Sequence, residues 1–154
     1  MFIHYFVEAN HAGDNTTRRS MAGILIFCNR SPIIWHSKRQ NGVETLTFGS
    51  DFTAMKNCVE LIAAIRYKLR MFGVPIYGST DIFCDNEAVY KNASTHKSQF
   101  RKKHHSISYK MIREVVASGA CRMSKEDTET NLSDLFTKLL LQPRRELLLD
   151  IFTY

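Results

Sequence analysis

Length, composition and charge limit what this chain can be. It has 154 residues, about the usual size of one domain, with 44% hydrophobic and 11% aromatic residues, 7 Gly and 3 Pro. These values exclude disordered, collagen-like and low-complexity proteins. The net charge is +6, yet residues 88–113 alone carry seven Lys and Arg and no Asp or Glu. This basic patch indicates a polyanionic partner; a basic face that serves only solubility is the alternative.

Features of membrane or exported proteins are missing from the sequence. The longest apolar run, residues 21–28, is far shorter than the roughly 18 to 20 residues that cross a bilayer. The first residues contain no cationic leader, so we expect no secretory signal, no membrane partner and a reducing location inside the cell, cytoplasmic or nuclear. The four cysteines lack the paired spacing of a zinc site and are predicted to be buried small hydrophobes.

Three strand-like runs open the chain, at residues 2–9, 23–29 and 32–37, and all are rich in Ile, Phe, Tyr or Trp. A turn-forming segment separates the first two, and a tight connection joins the second to the third. The pattern predicts an antiparallel meander. Trp35 in the third strand and Tyr109 on a later helix are predicted to be core residues, with base stacking as the alternative.

The period then changes to that of a helix. Apolar residues recur at spacings of three and four from Met55 to Phe72, and Gly73 ends the pattern. The remaining predicted elements are a strand at 81–85, one or two helical turns at 86–91, a helix from 100 or 101 to 117, a strand at 120–123, a helix at 132–140 capped by Thr130 or Asn131, and a helical tail at 144–152 after Pro143. This order predicts one α/β domain over residues 1–154, a mixed sheet with helices packed on it and a C-terminal tail at 142–154.

Four acids lie at the ends of predicted elements: Glu8, Asp51, Asp85 and Asp134. Asp51 shares the sheet-facing stripe of its helix, where a carboxylate without a partner is costly. Acids that converge on divalent cations are neutralised by them, and hard oxygen ligands suit Mg²⁺. Spacing alone makes this a weak indication, because the four acids are scattered along the chain.

Seven strings of residues strengthen the interpretation. In order and spacing they resemble the ribonuclease H region that ends copia-type retrotransposon polyproteins, and together they cover nearly the whole chain. The strings are ANHAGD (9–14), TRRS (17–20), IIWHSKRQ (33–40), VET with FGSDF (43–52), FCDNEAV (83–89), KKH (102–104) and NLSDLFTK (131–138).

The resemblance implies a ribonuclease H-like fold, with five strands in a mixed sheet and helices on both faces. It implies that four acids, in the order Asp, Glu, Asp, Asp, bind two Mg²⁺ ions, for which Mn²⁺ is a possible substitute. By motif these are Glu8, Asp51, Asp85 and Asp134. Glu8 replaces the family's Asp and Asp51 replaces its Glu. Each exchange moves a carboxylate by about 1 Å, a misplacement that can cost about a hundredfold in rate.

The activity implied is metal-dependent hydrolysis of the RNA strand of an RNA–DNA hybrid, with the 2′-hydroxyl distinguishing RNA from DNA. The implied partners are the hybrid and the reverse transcriptase domain of the same polyprotein, of which this chain is expected to be the end piece. No small-molecule cofactor is expected. The alternative is a catalytically decayed domain that only binds nucleic acid or packs on a reverse transcriptase.

Further polar residues are candidates for nucleic-acid contacts. Lys38, Arg39 and Gln40 are predicted to contact phosphates or to be exposed polarity at a strand end. Ser50 and Asn86 either donate hydrogen bonds to the nucleic acid or cap helices. His104 matches a family histidine and is either a proton shuttle or part of the basic patch. The remaining candidates in that patch are Lys97, Arg101, Lys102 and Lys103.

Overall fold

Within residues 1–94 and 106–153, the part of the chain that the computed structural model describes, five strands form one mixed sheet. They are β1 (Ile3–Asn10), β2 (Met21–Cys28), β3 (Ser31–Arg39), β4 (Thr80–Cys84) and β5 (Cys121–Lys125). Their order is β3-β2-β1-β4-β5; β2 is antiparallel to both β1 and β3, and β4 is parallel to β1 and β5. The predicted meander and mixed sheet are confirmed.

Helices cover both faces of this sheet, as the resemblance implies. Those of the described residues are α1 (Thr47–Met71), α2 (Glu87–Ser94), α3 (Ser106–Ala117), α4 (Asp134–Thr137) and α5 (Gln142–Thr153). Alternate side chains of β1 separate the two layers. Tyr5 and Val7 belong to the core under α1, α2 and α3, whereas Phe6 packs into the core under α4 and α5.

The long helix α1 begins earlier than its apolar stripe suggests. Leu46 is its N-cap residue and provides no side-chain cap. Ser50, predicted as a possible cap, lies inside the first turns, so the capping interpretation is wrong. The C-terminal end follows the prediction, since Gly73 adopts a left-handed φ of 69° and its N–H donates to the Arg70 carbonyl. No helix in the described part of the chain is long and apolar enough to cross a membrane.

The helix predicted at 132–140 is much shorter in the structure, where α4 ends at Thr137 and Lys138 is extended. The predicted caps are also wrong, because Ser133 is the N-cap residue and Asn131 instead accepts hydrogen bonds from the Ser133 backbone and hydroxyl. The chain turns after α4 so that Leu148 of α5 joins Leu132 in the same core. Pro143 lies in the first turn of α5, where its missing N–H costs nothing.

One aromatic prediction fails and another holds. Tyr109 is buried in the core under α1, but the Trp35 residue is 57% exposed. Trp35 lies on β3, the outer strand, where side chains receive less cover than on the inner strands. Among the cysteines, Cys58, Cys84 and Cys121 are buried as predicted, and Cys28 is half-buried.

Candidate active site

Four different elements bring the predicted acids to one end of the sheet. Glu8 lies near the end of β1, and Asp85 directly follows β4, which runs parallel beside β1. Asp51 lies in the second turn of α1, and Asp134 is the first residue of α4. Because the carboxyl ends of β1 and β4 meet at the same edge, the acids from α1 and α4 need only reach that edge to join them.

Lys138, the residue that follows α4, connects two of these acids. Its ammonium forms ion pairs with Oε1 of Glu8 and with Oδ1 of Asp134, the latter at 2.8 Å. The Thr137 hydroxyl donates to Oε2 of Glu8 at 2.7 Å. Both oxygens of Glu8 therefore have protein partners from the end of α4.

Asp134 is completely buried and is neutralised by a second cation. Nη2 of Arg144, on α5, donates to Oδ2 of Asp134 at 2.5 Å and to the Thr128 carbonyl oxygen at 2.6 Å. A buried carboxylate needs such partners, because an unpaired charge in the protein interior is strongly unfavourable. Arg144 and Lys138 together provide them, one for each oxygen.

Asp51 is held by neutral donors. Its Oδ1 accepts a hydrogen bond from the backbone N–H of Ala9 at 3.0 Å, and its Oδ2 accepts one from the Asn86 amide at 2.6 Å. The Asn86 Oδ1 accepts from the backbone N–H groups of Ala88 and Val89, as an N-cap does. Asn86 therefore caps α2 and orients Asp51 at the same time.

Burial raises the pKa of the acids that face this edge. It is the main cause for Glu8, where the neighbouring Asp134 adds to it, Lys138 and Thr137 oppose it, and the pKa reaches about 8. Burial also raises the pKa of Asp51, to about 6, against the hydrogen bonds from Asn86 and Ala9. For Asp85 burial again raises the pKa, Lys138 opposes and Asp134 adds. Burial lowers the pKa of Lys138, but its hydrogen bonds to Asp134 and Glu8 outweigh that effect and raise it.

The chemistry of this donor set fits a divalent cation, although its present arrangement does not coordinate one. In the described residues no three Asp, Glu, His or Cys side chains lie close enough to hold one metal ion. The carboxylates of Glu8, Asp51 and Asp134 are turned toward protein donors. All four nevertheless offer hard oxygen ligands, and the Lys138 ammonium occupies the space between two of them as a stand-in cation.

Two predicted contact residues have internal partners. Ser50 is completely buried, and its hydroxyl donates to the Thr47 carbonyl oxygen at 2.7 Å. Gln40 is buried, and its amide donates to the Ser50 carbonyl oxygen at 2.8 Å. They join the end of β3 to α1 and do not present their polar groups at the surface.

The structure describes only two of the seven basic candidates for nucleic-acid contacts. Lys38 is exposed, and Arg39, half-exposed, pairs with Asp14 at 2.9 Å. The other five lie outside the described residues: Lys97, Arg101, Lys102, Lys103 and His104. Their role in nucleic-acid binding stays a prediction.

Sequence reasoning missed three residues of the site: Thr137, Lys138 and Arg144. Lys138 follows Asp134 by four residues, the spacing of an ion pair on one helix face, so this contact could have been predicted. No comparable sequence pattern predicted the contact between Arg144 and Asp134, because Pro143 separates Arg144 from the helix of Asp134.

Comparison with known proteins identifies the relatives of this chain. No protein-family model matches it. It is 30% identical over 138 residues to the retrovirus-related Pol polyprotein from transposon RE1 of Arabidopsis thaliana, a match that covers 90% of this chain and 9% of the polyprotein. It is 25% identical over 142 residues to the Pol polyprotein from transposon TNT 1-94 of Nicotiana tabacum, covering 92% of this chain and 11% of that protein. The chain thus spans about a tenth of these relatives.

Solved structures share its fold at low sequence identity. LC11-RNase H1, isolated from compost by a metagenomic approach, has a TM-score of 0.66 at 11% identity and matches 88% of this chain and 92% of its own. The same enzyme in complex with an RNA/DNA hybrid has a TM-score of 0.63 at 13% identity, over 88% of this chain and 93% of that one. A foamy viral protease–reverse transcriptase in complex with an RNA/DNA hybrid has a TM-score of 0.55 at 15% identity, over 94% of this chain and 20% of that one.

These matches confirm the resemblance and the fold that it implied. The chain is homologous to a segment of the retrovirus-related Pol polyproteins of copia-type transposons, and its fold is that of a ribonuclease H domain.

Proposed function

We propose that this ribonuclease H-type domain binds an RNA/DNA hybrid and hydrolyses its RNA strand during reverse transcription of a retrotransposon. One observation carries the proposal: Glu8, Asp51, Asp85 and Asp134 come from four parts of the chain to one edge of the sheet, where the Lys138 ammonium pairs with Glu8 and Asp134. The homology to transposon Pol polyproteins and the ribonuclease H-like fold support the same activity.

Two Mg²⁺ ions, or Mn²⁺ in their place, are the proposed cofactors, and the four acids would hold them. Divalent ions bound there would supply Lewis-acid stabilisation of the charge that develops on the scissile phosphate. The cluster contains four carboxyl groups and two protein cations, Lys138 and Arg144, so its formal net charge is negative. Asn86 and the Ala9 N–H keep Asp51 in place for this role.

The hybrid would lie against basic groups beside this edge. Lys38 and Arg39 line a cavity of about 410 Å³ between the end of β3 and α1. Both are suited to phosphate contacts, which position a nucleic acid without reading its sequence. The basic residues at 97–104 would add to this surface. A structural neighbour of the same fold is known in complex with an RNA/DNA hybrid, which supports the choice of ligand.

The reverse transcriptase of the same polyprotein is the proposed protein partner. The relatives are Pol polyproteins, of which the chain spans about a tenth. A protease–reverse transcriptase from a foamy virus contains a region of the same fold, matched by 94% of this chain.

A second candidate function is hybrid binding without cleavage. It is favoured by the engagement of the acids: both oxygens of Glu8, Asp51 and Asp134 already have protein partners. The exchanged acids at positions 8 and 51 also favour this second function, because each exchange displaces a carboxylate by about 1 Å.

Incubation of the purified chain with an RNA/DNA hybrid labelled on the RNA, in Mg²⁺ and separately in Mn²⁺, tests both functions. The proposed function predicts RNA cleavage that Asp85→Asn abolishes and Asp81→Asn, near the start of β4 and paired with Arg122, leaves intact. Hybrid binding without cleavage by the wild-type chain would establish the second function. Failure to bind the hybrid would contradict both.

A further inference from the structure

Lys138 contacts the oxygens that a metal ion would need. Its ammonium pairs with Oε1 of Glu8 and Oδ1 of Asp134, neighbouring acids that are carried by different elements. The remaining oxygens of these acids are already bound by Thr137 and Arg144. A divalent ion that reached this pair of acids would therefore compete with Lys138 for the same two atoms.

The Lys138 ammonium also neutralises negative charge in the metal-free site. Glu8 and Asp134 are both buried, and two buried carboxylates without a counter-charge repel each other strongly. Of these two acids, Arg144 pairs with Asp134 and not with Glu8. Among the described residues, Lys138 is the one cation paired with Glu8. Its charge stabilises the two acids side by side when both are ionised and no metal ion is bound.

The two cations of the site differ in how firmly they are held. Arg144 donates from one nitrogen to both Asp134 and the Thr128 carbonyl oxygen, which fixes its guanidinium. The Lys138 side chain is 32% exposed, and within the described part of the chain its ammonium forms ion pairs with its two acids alone. A lysine on a flexible four-carbon stem can swing its ammonium into water, whereas a guanidinium held in a fork cannot do so easily.

We propose that Lys138 is an internal counter-ion, which holds Glu8 and Asp134 together in the metal-free protein and must leave them before a divalent cation binds. The inference rests on the proposed metal-dependent function and adds a positioning residue to it. It has two opposite consequences. Removing the ammonium should lower the stability of the metal-free chain and raise its affinity for a divalent cation.

Lys138→Met tests both consequences, because methionine keeps the apolar stem and removes the charge. By calorimetry we expect Mn²⁺ to bind the variant at least about tenfold more tightly than the wild-type chain, the equivalent of about 1.4 kcal/mol. In EDTA the variant should unfold at a lower temperature than the wild-type chain, and saturating Mn²⁺ should narrow that difference. The control is Lys56→Met, which breaks an exposed ion pair of the same four-residue spacing with Glu60.

A second measurement uses the wild-type chain and does not depend on the folding of a variant. In EDTA the Lys138 ammonium should give a nitrogen-detected NMR resonance that exchanges slowly with water, since it is held between two buried acids. Saturating Mg²⁺ should shift this resonance to the fast-exchanging position of exposed lysines. A resonance that stays unchanged while Mg²⁺ binds would overturn the proposal.

The outcomes separate this inference from the function on which it rests. If the wild-type chain binds Mn²⁺ and Lys138→Met binds it equally or more weakly, the counter-ion proposal is wrong and the metal-dependent function stands. If neither protein binds Mn²⁺, the metal-dependent function is wrong, and displacement of Lys138 is wrong with it.

Discussion

Gly23 lies opposite Glu8 in the β1–β2 ladder, and its missing side chain leaves the space into which α4 packs. A Cβ atom at Gly23 would lie 2.7 Å from Cγ2 of Thr137 and 2.9 Å from the Ser133 carbonyl oxygen. The close approach brings the Thr137 hydroxyl within 2.7 Å of Glu8. A residue without a side chain thus sets the distance between the strand that carries one acid and the helix that carries another.

Gly23→Ala should lower the free energy of unfolding by about 1–3 kcal/mol, because the added methyl group overpacks the interface with α4. It should also reduce hybrid cleavage, since α4 carries Asp134. Urea denaturation measures the first effect. Gly42→Ala is the control, because a Cβ there meets no atom within 4 Å; we expect it to change stability by less than about 0.5 kcal/mol. Equal effects of the two substitutions would show that α4 does not depend on this close approach.

Asn86→Ala should destabilise the chain by about 1–2 kcal/mol, because α2 loses its cap. It should also lower cleavage more than this loss of stability explains, because Asp51 loses the hydrogen bond from the Asn86 amide. The matched control is Asn92→Ala in the same helix, where the side chain is half-buried and donates a hydrogen bond to the Ala88 carbonyl oxygen. If the Asn86→Ala variant cleaves the hybrid at the wild-type rate under conditions in which it is folded, Asn86 does not position Asp51 for cleavage.

In EDTA, the free energy of unfolding should fall as the pH rises from about 4.5 to about 8. Glu8 titrates near 4.5 when unfolded and near 8 when folded, so this side chain binds more protons in the folded chain than in the unfolded chain throughout this range. Asp51, with its pKa raised to about 6, contributes in the same direction below that pH. Glu8→Gln should flatten the profile between pH 6 and 8, whereas Glu60→Gln, an exposed site, should not. A wild-type profile that rises with pH over this range would contradict the raised pKa of Glu8.

The exchanged acids should act independently. Glu8 is held by Thr137 and Lys138, and Asp51 by Ala9 and Asn86, so they share no hydrogen-bond partner. Each reversion, Glu8→Asp or Asp51→Glu, should therefore raise the rate of hybrid cleavage, by up to about a hundredfold, and the double reversion should multiply the two effects. A double-mutant cycle in kcat/KM measures this. Single reversions that harm activity, together with a double reversion that helps, would show compensation instead.

Hybrid binding should depend on salt and not on sequence. Replacing Arg101, Lys102 and Lys103 with Ala should weaken binding to every hybrid and reduce the slope of log Kd against log salt by about 0.7 to 0.9 for each phosphate that is no longer neutralised. Lys68→Ala with Arg70→Ala is the control, because these residues lie in the last turn of α1, about 25 Å along the helix from Asp51. If the slope of log Kd against log salt does not change, the basic segment does not contact phosphates and serves only solubility.

The sequence predicts elements well where one physical rule dominates. The alternating apolar residues of β1 and the stripe and terminal Gly73 of α1 require only local patterns. Trp35 and the length of α4 depend on what covers them from distant parts of the chain, which periodicity does not report. Element ends, which are readable from the sequence, give only a weak indication of the four acids, and the resemblance to a known family selects them as candidates. Arg144 is not predicted, since its contact with Asp134 depends on the turn between α4 and α5.

The two faces of the sheet are stabilised unequally. The core beneath α1, α2 and α3 contains residues of every helix on that face, whereas in the described part of the chain the buried apolar residues beneath α4 and α5 are Leu25, Phe27, Leu132 and Leu148. Local opening follows the density of buried apolar contacts, so the α4–α5 layer should detach at a lower free energy than global unfolding requires. Such an opening would carry Asp134, Lys138 and Arg144 away together and leave Asp51 and Asp85 in place. The fraction of molecules with an assembled site is then set by a sub-global folding equilibrium, which amide hydrogen exchange would reveal as earlier exchange in α5 than in α1.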